Sequence, residues 1–218
     1  MKNKNERLAQ ILQLAPVVPV LQFDDVDTAV NTSRALVAGG LPAIEITLRT
    51  PEALACISAV AKQVDGAVVG AGTVMNPGLH NDCVEIGCQF LVSPGATQEL
   101  LDANSKTDVP LLPGVATPSE AMGLMAEGFE YLKFFPAEQA GGAPYLKALA
   151  PVLQGLKFCP TGGLNASRAP DYLAIDNVIC VGGSWVAPKD LIAAGNWDGI
   201  TQLAIEACRL ASHQTTHD

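Results

Sequence analysis

The chain has 218 residues and a formal net charge of −9, with 22 acidic side chains against 13 basic ones. The basic residues form no run or helical stripe, which excludes nucleic acid and anionic membrane as partners. Hydrophobic residues make up 49% and charged residues only 16%, so the chain is expected to bury one large core as a single domain over 1–218.

Residues 1–16 read as a helix, with Leu8, Ile11 and Leu12 on one face positioned to plug the bottom of the fold. This segment has no apolar stretch long enough for a secretion signal, and no later run approaches membrane-spanning length. A cytoplasmic protein is expected.

From Val17 to Ser184, eight apolar runs recur at intervals of roughly 20 to 25 residues, the size of a compact βα unit. In order they are VVPVLQF, AIEITL, AVVGAGT, FLVSPG, VPLLPGV, YLKFFP, KFCPTGG and NVICVGG. Stretches of helical period lie between them; DDVDTAVNTSRALVAGG opens on capping aspartates and closes on Gly39 and Gly40. Near-continuous hydrophobic strands alternating with helices predict an α/β (β/α)8 TIM barrel of eight parallel strands, with the extra N-terminal helix. A doubly wound open sheet should carry a glycine turn after its first strand, and VVPVLQFDD has none. Glycine pairs instead follow the seventh and eighth runs, where barrels commonly hold phosphate. Residues 185–210 read as C-terminal helices, and 211–218 as a frayed tail.

Two ionisable residues stand inside apolar strands. Lys133 lies in YLKFFP, and a buried lysine needs an explanation. Either its ammonium snorkels into water at the strand end, or burial favours the neutral amine that forms an imine with a ketone. The apolar flanks favour the second. Glu45 lies in AIEITLRT and, by strand alternation, shares a face with Thr47 and Arg49. Strands two and six are both even-numbered, so Glu45 and Lys133 are expected to meet in one barrel layer, as a plain ion pair or as a reactive one.

Arg49 closes the second strand on the catalytic rim, where its planar fork suits a carboxylate, and the hydroxyl of Thr73 is placed to add a hydrogen bond. The pairs Gly162 and Gly163, and Gly182 and Gly183 with Ser184, each stand between a strand and a helix start. Backbone N–H groups there make a phosphate cradle. No metal is expected, since His80 sits in a helical stretch and His213 and His217 in the tail, without companion ligands. The six cysteines show no CxxC spacing and read as free thiols in a reducing compartment.

GLPAIEITLRT, GAGTV, FLVSPG, PLLPGVATPSE, KFFPAE, FCPTGG and VGGSW run in this order through nearly the whole chain. Together they resemble the KDPG/KHG aldolase family. The resemblance implies a cofactor-free class I aldolase, usually a homotrimer, that cleaves 2-dehydro-3-deoxy-6-phosphogluconate to pyruvate and glyceraldehyde 3-phosphate. Many members also cleave 4-hydroxy-2-oxoglutarate to pyruvate and glyoxylate. It further implies that Lys133 forms the imine, that Glu45 is the general acid/base, and that Arg49 and Thr73 hold the pyruvyl carboxylate. Pro94 and Phe135 would line the pocket, and Gly162, Gly163, Gly182, Gly183 and Ser184 would take the phosphate. Leu164 and Pro42 depart from the common pattern without touching a reacting group. The alternatives are an aldolase for a related phosphorylated 2-keto-3-deoxy sugar acid such as the galactonate epimer, a phosphosugar isomerase or phosphoribosyl enzyme, and a non-catalytic binder of phosphorylated metabolites.

Overall fold

The computed structural model describes residues 1–210, so the tail assigned to 211–218 lies outside the described residues. After α1 (Lys2–Leu12) the chain alternates strand and helix: β1 (Val17–Leu21), α2 (Val26–Ala38), β2 (Ala43–Thr47), α3 (Ala53–Gln63), β3 (Val68–Gly72), α4 (Pro77–Glu85), β4 (Phe90–Val92) and α5 (Gln98–Ser105). There follow β5 (Leu111–Leu112), β6 (Gly114–Val115), α6 (Pro118–Ala126), β7 (Tyr131–Phe134), α7 (Gly142–Leu149), β8 (Lys157–Pro160), α8 (Ala169–Leu173) and β9 (Val181–Gly183). Two helices, α9 (Lys189–Ala193) and α10 (Trp197–Cys208), close the described chain.

The strands pair in parallel in the orders β5-β4-β3-β2-β1-β9 and β6-β7-β8. Bridges at Phe158 to Val178 and Thr161 to Gly182 join β8 to β9 and close the ring. β5 and β6 are one barrel strand divided at Pro113, which has no N–H to give the ladder. The expected (β/α)8 barrel is therefore the fold, with strands shorter than the apolar runs. The eighth run, 177–183, forms regular strand only at Val181–Gly183.

Alternation sorts the strand side chains into two layers. Val17, Leu21, Ile44, Ile46, Val69 and Leu91 face the surrounding helices. Val18, Ala43, Phe90, Val92, Leu112, Cys159 and Cys180 form an inner cluster with Leu8, Ile11 and Leu12 of α1. That helix covers the floor of the barrel as expected, and each of these three buried apolar side chains contributes about 1.5–3 kcal/mol of hydrophobic stabilisation.

The aspartate cap expected for α2 is present, and other helix starts carry side-chain caps as well. Asp25 accepts from the Thr28 amide at 2.7 Å, and Asn76 from that of Leu79 at 2.9 Å. Thr117 and Glu120 form a reciprocal capping box, in which hydrogen bonds from the amides of Ala116 and Thr117 help hold the Glu120 carboxyl below the usual carboxylate range. Each such cap contributes about 1 kcal/mol.

All six cysteines are free, and five are buried. Hydrogen bonding to Cys83 and then burial push the Cys88 thiol up; Cys159 and burial act alike on Cys180. His80 is fully buried, its Nε2 facing the Asn104 side chain at 3.4 Å. Among the described residues no helix is long and apolar enough to cross a membrane.

Candidate active site

The barrel wall places Glu45 on β2 and Lys133 on β7, both pointing inward above the apolar floor. Register holds them there: Glu45 pairs with Gly70 of β3, and Lys133 with Gly114 of β6 and Cys159 of β8. The Lys133 Nζ lies 3.1 Å from Glu45 Oε1 and 3.5 Å from Oε2, with the two residues 5% and 3% exposed. Neither charge is solvated, so each is compensated by the other. A buried pair of this kind is weak evidence of stabilisation, because desolvation offsets most of the Coulombic attraction.

Space for the carboxylate comes from β3. A Cβ on Gly72 would stand 2.1 Å from Glu45 Oε1, so any side chain there would displace the acid. On the other side of the pair, a Cβ on Gly114 would stand 2.3 Å from the Pro94 carbonyl oxygen.

The next inward-facing residues toward the carboxyl ends are Thr47, Phe135 and Thr161, and they line a cavity of about 370 Å³. The Lys133 amine sits 5.4 Å from the centre of the Phe135 ring, which lines this cavity; Lys133 and Glu45 themselves are not among the lining residues and reach it through Phe135 and Thr47, the next inward positions on their strands. Arg49 stands on the rim, its Nε donating to the Thr73 hydroxyl at 3.2 Å. Thr73 adopts a positive φ of 63°, a conformation that costs a non-glycine residue about 1–3 kcal/mol and here accompanies its hydroxyl's bond to the guanidinium.

Beyond β1 from the Thr47 side, Gly162, Gly163, Gly182, Gly183 and Ser184 complete the wall. Gly162 and Gly163 have φ values of 108° and 80°, which a side chain would strain. A Cβ on Gly182 would strike the Thr161 hydroxyl at 2.2 Å. Among the described residues lining this cavity, the charged side chains are Arg49 and Lys189. Both are cationic, in a chain of net charge −9, and the cavity therefore suits a small substrate with more than one negative charge.

The structure thus brings Lys133 to Glu45, Arg49 to Thr73, and Phe135 to the two glycine turns. Pro94 stands apart from the cavity wall and is placed by its carbonyl beside Gly114. Thr161, Gln22 and Lys189 line the cavity without having been singled out in the sequence. For Thr161 there was a signal: it precedes the Gly162 pair and shares the inward face of Cys159. Lys189 follows the last strand and carried none.

A model of the KDPG and KHG aldolase family matches residues 8–203. The KHG/KDPG aldolase of Escherichia coli strain K12 is 47% identical over 207 residues, covering 95% of this chain and 97% of its own length. The 2-dehydro-3-deoxy-phosphogluconate aldolase of Zymomonas mobilis is 48% identical over 199 residues, covering 90% and 93%. Among solved structures, the KDPG aldolase of Legionella pneumophila superposes with a TM-score of 0.89 at 42% identity, covering 92% of this chain and 97% of that one. That structure holds pyruvate captured at low pH as a covalent carbinolamine intermediate. Family model and relatives span nearly the whole barrel, including the strands that carry Glu45 and Lys133, and the chain belongs to the KDPG and KHG aldolase family.

Proposed function

We propose that this chain is a class I aldolase that cleaves 2-dehydro-3-deoxy-6-phosphogluconate to pyruvate and glyceraldehyde 3-phosphate through an imine on Lys133. The observation that carries this reading is the buried amine 3.1 Å from a buried carboxylate, one inward position along their strands from Phe135 and Thr47, which line a cavity whose charged wall residues are both cations. The carbinolamine in the Legionella relative supports it, since an amine adding to the ketone of pyruvate gives that species.

The Lys133 amine adds to the C2 ketone once its proton has passed to an acceptor, and Glu45 is within hydrogen-bond reach. Glu45 returns that proton to the carbinolamine hydroxyl, water leaves, and a cationic imine forms. Its nitrogen is the electron sink. Glu45, directly or through a water, then takes the proton from the C4 hydroxyl, the C3–C4 bond breaks, and its electron pair moves onto the imine as an enamine while the aldehyde departs. Protonation at C3 and hydrolysis release pyruvate and restore the lysine. The chemistry asks for no metal, because the imine does the work a Lewis acid would do.

Arg49 and Thr73 hold the pyruvyl carboxylate, Phe135 packs against the reacting carbons, and the turns at Gly162, Gly163, Gly182, Gly183 and Ser184 take the phosphate. Cleavage of 4-hydroxy-2-oxoglutarate uses the same pyruvyl half, and the Escherichia coli relative is named for both substrates. Family membership also supports a cytoplasmic homotrimer, with Pro94 among the residues near the reacting centre.

Borohydride added with pyruvate is expected to inactivate the enzyme and leave a reduced pyruvyl adduct on the peptide containing Lys133. Mass spectrometry of the digest, beside a coupled assay for pyruvate release from the phosphorylated keto acid, checks both halves of the reading. Label on another residue, or none, would remove Lys133 from the mechanism.

Ser184→Glu places a carboxylate at the phosphate turn and leaves Lys133, Glu45 and Arg49 in place. Loss of one charge-assisted hydrogen bond corresponds to about 10- to 150-fold in kcat/KM for the phosphorylated substrate, with repulsion adding to it. For 4-hydroxy-2-oxoglutarate kcat/KM should change much less. An equal fall on both substrates, with the fold intact, would mean the turns do not hold phosphate.

A further inference from the structure

We propose that Arg168, Glu138 and Tyr172 are positioning residues that hold the Gly162–Gly163 turn in an anion-accepting conformation, and so set how tightly the phosphorylated end of the substrate is bound. The proposal rests on the reading of that turn as a phosphate site.

Three consecutive carbonyls of the turn are tied down. The Thr161 oxygen accepts from the Ala137 amide at 2.8 Å, the Gly162 oxygen from the Glu138 amide at 3.2 Å, and the Gly163 oxygen from the Arg168 guanidinium at 2.8 Å. In a trans peptide the N–H lies opposite the C=O. Fixing the Gly162 and Gly163 carbonyls therefore turns the N–H groups of Gly163 and Leu164 to the other side. Both residues line the cavity, and successive N–H groups aimed into one concavity are an anion nest.

The Arg168 contact would be weak alone, because its side chain is 52% exposed. What fixes it is Glu138, whose Oε2 lies 3.4 Å from the guanidinium Nε. Glu138 is held in turn by the Tyr172 hydroxyl, which donates to Oε1 at 2.5 Å. Tyr172 is 1% exposed, and burial followed by this bond pushes its hydroxyl well above the usual range. A rigid path thus runs from the core through Tyr172, Glu138 and Arg168 to the Gly163 carbonyl. Glu138 also packs against the turn itself, since a Cβ on Gly163 would stand 2.7 Å from its Cγ.

None of the three lines the main cavity; they line a separate hollow beside Gly141 and Gly142. They act on bound phosphate through the turn. A half-exposed ion pair adds little to global stability, so variants should fold.

The test compares Arg168→Met, Arg168→Lys and Tyr172→Phe with the unaltered protein. It reads kcat and KM for the phosphorylated keto acid and for 4-hydroxy-2-oxoglutarate, inhibition by inorganic phosphate, and Tm. Arg168→Met is expected to raise KM for the phosphorylated substrate and the inhibition constant of phosphate about five- to tenfold, with kcat within about twofold. The 4-hydroxy-2-oxoglutarate constants should not move. Tyr172→Phe removes no charge and should shift the same constants in the same direction. Arg168→Lys keeps the charge but has no planar fork to bridge carbonyl and carboxylate, and should share the loss. Full recovery by Arg168→Lys would overturn the proposal in favour of a simple charge field, and parallel losses on both substrates would overturn it as general damage. Ser184→Glu separates the two levels. If it is selective and Arg168→Met has no effect, the turn binds phosphate and the positioning role alone fails; if neither is selective, the phosphate reading fails and takes this proposal with it.

Discussion

Lys133→Ala is expected to lose at least about four orders of magnitude in kcat, the scale on which enzymes lose turnover when a covalent nucleophile is removed. Neither water nor Glu45 can provide a cationic nitrogen to receive the electron pair of the C3–C4 bond. Labelling with pyruvate and borohydride should vanish together with turnover. The same substitution strands Glu45, 3% exposed, without its partner, and removing one member of a buried pair costs about 3–5 kcal/mol. Circular dichroism and Tm must therefore accompany the kinetics. The double variant Lys133→Met with Glu45→Gln removes both charges and should regain much of that stability while staying inactive. Turnover by a folded Lys133→Ala within about a hundredfold of the unaltered enzyme would exclude the imine mechanism.

Glu45→Gln is expected to lower kcat by about 10²- to 10⁴-fold, the usual contribution of a positioned general acid/base. The amide has the shape of the carboxylate and fits the slot that Gly72 leaves open, so the loss should be chemical rather than steric. Imine trapping should slow as well, because dehydration of the carbinolamine needs the same proton carrier. Near-normal turnover in Glu45→Gln, measured in the coupled pyruvate assay, would make the carboxylate a structural counter-ion to Lys133.

The barrel was legible because its strands are buried on both faces and read as apolar runs at a regular interval. Their ends were not, since a run such as NVICVGG stays hydrophobic where the ladder has already become irregular. Nor does VPLLPGV announce where Pro113 divides it. Lys133 and Glu45 stood out because an ionisable group in an apolar strand contradicts its surroundings, and the even-strand argument placed them together. The Arg168, Glu138 and Tyr172 path could not be seen that way. Its members lie on two loops and a short helix, with Glu138 and Tyr172 34 residues apart, and each alone is an ordinary polar residue. Thr73 was legible as a hydroxyl near Arg49, but its left-handed backbone was not, because nothing in GAGTV marks a non-glycine residue for positive φ.

Among the described residues, α1 packs its apolar face against the amino-terminal end of the barrel, away from the carboxyl-end residues that line the candidate cavity. On the proposed mechanism, the pyruvyl fragment would be tethered to Lys133, one inward position before Phe135 along β7, and the aldehyde fragment would lie nearer the rim beside the glycine turns. The fragment nearer the rim would then leave first. In the synthetic direction that arrangement would reverse the queue: pyruvate would enter and become covalently attached before the aldehyde arrives, and an aldehyde that entered early would stand in its way.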